Sequence, residues 1–304
     1  LPFVSIVLTL DKPLIEKRFQ YLLLSFGGPV VVLALFFIFT RPEVIERGRA
    51  TFYALNSISL AQVSGTVFLT AVVAMSRAEH RRSVALLAIL SVVAMLVFLY
   101  ANSRGPILAL LAATVFLVAT DFRKAPFLFP GLVTIPIWLA VNFNGTSVVR
   151  GGSDGVVGRL GQLVDAVKGV EIQVDGVPTI AGDASLALRW DALQSGVDGF
   201  LLNPLLGSYF LDPGKAIGLY PHNLIVETAM ALGVVGLVIL AISMFQAAKA
   251  TFRLVSTHHL LAVLFVQTAA MSMVSGAIWG AADLVVLAAV VLFVGRQKEI
   301  PNSA

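Results

Sequence analysis

Residues 221–247, PHNLIVETAMALGVVGLVILAISMFQA, decide the fold. Past the histidine this stretch is nearly continuous apolar sequence, and about 20 such residues suffice to cross the hydrocarbon core of a bilayer. Similar runs occupy 21–40, 56–76, 83–101, 105–120, 126–141, 257–275 and 277–295, which with 222–247 makes eight complete spans. Hydrophobic residues form 58% of the chain and charged residues 12%, and the mean hydropathy is +0.92, far from a soluble domain. A lipid-exposed chain must satisfy its own backbone hydrogen bonds, and the alternation of barrel strands is absent, so the spans are helices. The expected fold is an all-α polytopic transmembrane helical bundle.

One polar stretch interrupts it, the 79 residues from Asn142 to Tyr220. Three regions follow: N-terminal transmembrane helices over 1–141, a large extracytoplasmic loop with short helices over 142–221, and C-terminal transmembrane helices with a cytoplasmic tail over 222–304. Residues 1–10 resemble the tail of another span. With no Met at position 1 and no signal-peptide pattern, upstream spans are expected to be missing.

Short loops rich in Lys and Arg stay on the cytoplasmic side. Lys12, Lys17 and Arg18; Arg77, Arg81 and Arg82; Arg123 and Lys124; Lys249 and Arg253; and Arg296 and Lys298 fall on every second side of the predicted bundle. The 101–105 turn and the 142–220 loop therefore face outward, and that loop holds eight acids against five bases. The net charge of +4 is largely this topology signature, so no nucleic-acid partner is implied. Zero cysteines removes thiol catalysis, disulfides and thiolate metal sites. No Walker loop, His-Glu-x-x-His or outer cluster with metal-ligand spacing is present, so neither cofactor nor metal is expected.

Three outer-side residues carry potential chemistry. Arg104, in the turn Ala101–Pro106, runs against the charge bias. It reads equally as an interfacial arginine reaching headgroups or as a fixed guanidinium gripping phosphate. Arg189 lies in a short amphipathic helix, on the edge of a stripe formed by Leu186, Trp190, Leu193, Val197 and Leu201. Packing of that stripe would point Arg189 toward the membrane; a solvated or capping charge is the plainer reading. His222 opens a span, where a lone histidine is more often structural than catalytic, although it is the side chain best poised as a proton acceptor near neutral pH. Glu227, about 140° around the helix from His222, is an intramembrane acid that needs a partner and does not pair with the histidine on one face. Asp283 raises the same question. Gly233 and Gly236 read as small residues for close helix packing.

Ser103-Arg104-Gly105, then Arg189-Trp190 followed by Asn203-Pro204-Leu205-Leu206-Gly207, then His222-Asn223 followed by Gly233 and Gly236, resemble in order and spacing the bacterial O-antigen ligase and O-antigen polymerase superfamily. The resemblance covers roughly residues 50–250. It implies a metal-independent, inverting glycosyl transfer on the periplasmic face of the bacterial inner membrane. The donor would be an undecaprenyl-diphosphate-linked glycan, and the acceptor lipid A-core or another glycan, with membrane lipids around the protein. Arg104 and Arg189 would bind the diphosphate and His222 would activate the acceptor hydroxyl, with Ser103, Asn223 and Glu227 in supporting places. Ligase is preferred over an O-antigen or exopolysaccharide polymerase with the same donor. A lipid-glycan transporter or flippase, with Glu227 and Asp283 lining a path, is the reading from another class.

Overall fold

The computed structural model describes residues 12–41, 45–46, 49–52, 55–143, 171–174, 177–180, 184–208, 221–275 and 281–296. The predicted span tail at 1–10 and most of the loop between 144 and 183 lie outside them. The helices are α1 (Lys12–Thr40), α2 (Ser57–Met75), α3 (Arg81–Ala101), α4 (Arg104–Thr120), α5 (Phe129–Leu132), α6 (Thr134–Phe143), α7 (Ala184–Leu202), α8 (Leu224–Leu254), α9 (His259–Ser275) and α10 (Ala282–Arg296). Two small antiparallel hairpins accompany them: β1 (Ile45–Glu46) with β2 (Arg49–Ala50), and β3 (Glu171–Val174) with β4 (Val177–Ile180). The protein is a polytopic helical bundle. Among the described residues four helices, from Ile15 to Thr40, α2, α3 and α8, are long and apolar enough to cross a membrane; α4 and α9 are apolar and shorter, at 17 residues each.

One predicted span is corrected. Segment 126–141 is not one rod: a 3-10 turn at Phe122–Leu128 leads into α5, a turn at Val133, and then α6. Pro126, Pro130 and Pro136 lie along it, each without a backbone N–H and each disfavouring the preceding helical turn, and three so close together interrupt the helix. Placing a proline early in each short helix avoids that penalty.

Two compact units emerge: residues 1–148, 242–271 and 282–304 form the first, and 149–241 with 272–281 the second. In the first, α2 is the buried centre, packed against α1, α3 and α4. Its polar residues are satisfied within the bundle, Ser64 donating to the Leu60 carbonyl (2.7 Å), Thr70 to the Thr66 carbonyl (2.7 Å), and Thr66 bonding Gln267 of α9 (3.2 Å).

The two ends of this unit differ. At one end Glu16 of α1 pairs with Arg77 just past α2 (3.1 Å) and accepts the Leu260 amide of α9 (2.7 Å). There too Lys124 pairs with Asp121 (2.8 Å) and bonds His259, which also bonds Thr120 (3.0 Å). The hydrogen bond from Lys124 is the main reason the Asp121 carboxyl is held below its usual range. Three of the predicted basic segments thus share one end, as an up-and-down bundle requires. The other end carries an aromatic chain, Phe39 to Tyr100 (6.0 Å) and Tyr100 to Trp138 (6.5 Å), of the kind found at membrane–water boundaries. Arg104 opens α4 at the end opposite Thr120, about 25 Å away along the helix.

Candidate functional site

In the first unit, Ser103-Arg104-Gly105 sits where α3 hands over to α4. Asn102 ends α3 in the left-handed conformation, φ 46°, which a short polar side chain tolerates. Ser103 is the extended residue before α4 and is buried, yet its side chain accepts no bond from the first-turn amides. Pro106 supplies no amide at all. Arg104 is the first helical residue and is half-buried. A cation at a helix N-terminus is opposed by the helix dipole, so capping does not account for it. An anion placed there meets amides, dipole and guanidinium acting in the same direction.

In the second unit, His222 and Asn223 form a tight corner before α8. His222 is exposed and has φ 51°, a left-handed backbone that costs a non-glycine residue on the order of 1 kcal/mol or more. Asn223 holds the corner. Its Oδ1 accepts from the amides of Ile225 (3.0 Å) and Val226 (3.1 Å), and its Nδ2 donates to the Met273 carbonyl at the end of α9 (2.8 Å). The first satisfies α8's N-terminus; the second ties that corner to another helix.

Helix α7 packs onto the same corner. A Cβ on Gly196 would lie 2.7 Å from the Val226 side chain and 3.1 Å from that of Pro221, so only a glycine allows this approach. The buried face of α7 is Ala192, Gly196 and Gly199. This corrects the expected stripe: Trp190 is 67% exposed, Val197 41% and Leu201 65%. The small residues mark the side of α7 that packs on protein. The backbone position of Arg189 lies two turns before Gly196. On an ideal helix it falls about 50° from the centre of the small-residue face and about 80° from that of the stripe.

Gly233 also departs from its reading. Its φ of 63° and ψ of −157° break α8, so it serves a kink as well as close approach. The turn after α7 fills the break: the Val234 amide donates to the Pro204 carbonyl (2.8 Å), the Val235 amide to that of Leu205 (3.4 Å), and the Ser208 amide to that of Met230 (2.9 Å). A Cβ on Gly233 would lie 2.4 Å from the Leu205 carbonyl oxygen. Asn203-Pro204 therefore ends α7 and docks it on α8. The Gly196 contact and this docking were not read from sequence; the glycines of α7 were the available signal.

Glu227 is fully buried in the first turn of α8, while His222 is exposed ahead of it. Asp283, in the first turn of α10, is exposed in the first unit. Among the described residues no three His, Asp or Glu side chains group to hold a metal ion. Arg104 belongs to the first unit, Arg189 and His222 to the second.

Fold and motifs together define a polytopic membrane protein with an exposed, left-handed histidine before one helix and an arginine at the start of another. A family model described as O-antigen ligase matches residues 89–241, which include both motifs and the turn that docks on α8. The chain belongs to the O-antigen ligase family. No curated protein and no solved structure matches it.

Proposed function

We propose that this chain transfers a glycan from undecaprenyl diphosphate to an acceptor hydroxyl at the periplasmic face of the inner membrane, with His222 as general base. The observation that carries the reading is the left-handed, exposed His222 next to Asn223, whose side chain is fixed on α8 and α9, since strain beside a fixed neighbour marks a position kept for chemistry. The imidazole takes the proton of the acceptor hydroxyl, whose oxygen attacks the anomeric carbon. The bond from that carbon to the diphosphate oxygen breaks, and undecaprenyl diphosphate leaves with the electron pair. One displacement inverts the anomeric centre.

Charge grows on the leaving diphosphate as that bond lengthens, so fixed cations stabilise the transition state more than the ground state. Arg104 supplies a permanent charge at the start of α4, where helix amides add to it. Arg189 supplies the second. With two arginines in this role the reaction needs no metal. Lipid A-core is the preferred acceptor, which makes the protein a ligase. A polymerase would pass the same donor to a second lipid-linked glycan.

The test is transfer by the reconstituted protein from purified undecaprenyl-diphosphate glycan, with lipid A-core and a second lipid-linked glycan offered separately. Product on lipid A-core is expected. A lengthening ladder on the lipid carrier would make it a polymerase. Retained transfer after His222→Ala would remove the general-base role, and dependence on added metal would remove the two-arginine account.

A further inference from the structure

The turn between α7 and the 221–223 corner exposes an apolar surface that the transfer chemistry does not use. Leu201, Leu202, Leu205 and Leu206 are each at least 65% exposed, and Asn203 is the only polar side chain between 201 and 207. Exposing a leucine side chain to water costs about 1.5–3 kcal/mol relative to burial, so water is a poor neighbour for four of them. This surface is continuous with a membrane-crossing helix. The hydrogen bonds from Val234 to Pro204 and from Val235 to Leu205 set the turn directly against α8, where Val234, Val235 and Val238 are exposed as well.

Depth follows from the sequence of α8. Its uncharged run from Thr228 to Ala248 is 21 residues long, bounded by Glu227 and Lys249. At about 1.5 Å per residue it matches a hydrocarbon core of about 30 Å. Gly233 is the sixth residue of that run, about 9 Å inside it. Backbone that is not helical is tolerated at such depth only where protein satisfies it. The three bonds between the turn and the break in α8 do so.

We propose that Leu201–Leu206 is embedded in the acyl chains of the outer half of the bilayer, so that this loop helix is anchored in the membrane as well as on the protein. The partner is bilayer phospholipid, present whether or not a glycan donor is bound, and the proposal stands apart from the transfer mechanism. Anchoring holds α7, and with it the Gly196 contact beside His222, at a fixed depth.

The chain has no cysteine, so single-cysteine variants report one position each. Leu205→Cys and, as control on the exposed face of α7, Asp198→Cys would be labelled with an environment-sensitive fluorophore. Each would be reconstituted in phosphatidylethanolamine–phosphatidylglycerol vesicles free of glycan donor. At position 205 the expected result is blue-shifted emission, quenched by nitroxides on lipid acyl chains, with loss of reaction toward a membrane-impermeant maleimide. Position 198 should react freely and emit as in water. Aqueous emission at both positions would overturn the proposal. So would blue emission at 205 that acyl nitroxides leave unquenched, which would mean protein covers it. Shielding that appears only when lipid-linked glycan is added would assign the surface to the donor's polyprenyl chain instead.

Discussion

Two corners of the molecule are built alike and finished differently. Among the described residues only Asn102 and His222 have positive φ without being glycine, and each stands two residues before the first residue of a helix. At the first corner the left-handed residue is an asparagine, suited to the turn, and the following Ser103 leaves the first-turn amides of α4 uncapped. At the second the left-handed residue is a histidine, and Asn223 caps α8 with two bonds. The first corner starts its helix without a side-chain cap from Ser103. The second fills its helix start from within and commits the strained position to an imidazole. In the proposed mechanism the first corner would bind the anion and the second would take the proton.

Replacing the strained residues separates the corners most sharply. His222→Gly should relieve backbone strain, so the melting temperature holds or rises, while transfer falls by about 10²–10⁴, the usual contribution of general-base help. Asn102→Gly should leave transfer unchanged. Equal loss of transfer in both variants would break the comparison. Next in size is Arg104→Ala, expected to reduce kcat/KM by roughly ten- to a hundredfold, in line with about 1.5–3 kcal/mol for a hydrogen bond to a charged group. Lysine at 104 should recover part of that.

Ser103→Asp sharpens the distinction further, because a carboxylate there caps α4 and repels a diphosphate. Thermal stability should rise by about 1 kcal/mol while donor affinity falls, and a parallel change in both would argue against an anion at this corner. Asn223→Ala has the smallest expected effect, a loss of about 1 kcal/mol of cap stability with a modest fall in transfer. Asn223→Asp keeps the two accepted bonds and loses the donation to Met273. A transfer rate for Asn223→Asp as low as that of Asn223→Ala would show that the tie to α9 positions His222.

Much of this fold was legible because lipid dictates it. Apolar run length found the helices, and charge alternation anticipated the clustering of Glu16, Arg77, Lys124 and His259 at one end. The helix around Arg189 was readable too, at 185–199 against the observed Ala184–Leu202. Its buried face was not, because close approach to the Pro221–Val226 corner selects the small residues and leaves the larger apolar ones outside. Trp190 and Leu201 are as apolar as any core residue and are exposed, whereas Gly196 and Ala192 are buried. The break at Gly233 was hidden for another reason: a glycine in a helix signals permission, and which dihedral it takes depends on a turn some 30 positions earlier. Segment 126–141 was read as one span although three prolines mark its interruption. For the candidate site, the motifs gave residue identities, and the conformation of His222 and the double role of Asn223 needed coordinates.

The kink in α8 is an exchange of backbone partners. In a straight helix the Val234 amide would donate to the Met230 carbonyl. Here that carbonyl accepts from Ser208, and the Val234 amide is given to Pro204. One bond internal to the helix is exchanged here for two of the three bonds between the segments. Straightening α8 would restore the single bond and strand the Ser208 amide and the Pro204 carbonyl, which is costly away from water. Synthesis runs in the direction that avoids this, because the chain carrying Pro204 and Ser208 is made before α8. The later helix can therefore meet its template as it forms, and its bent shape is an instruction carried by the earlier segment.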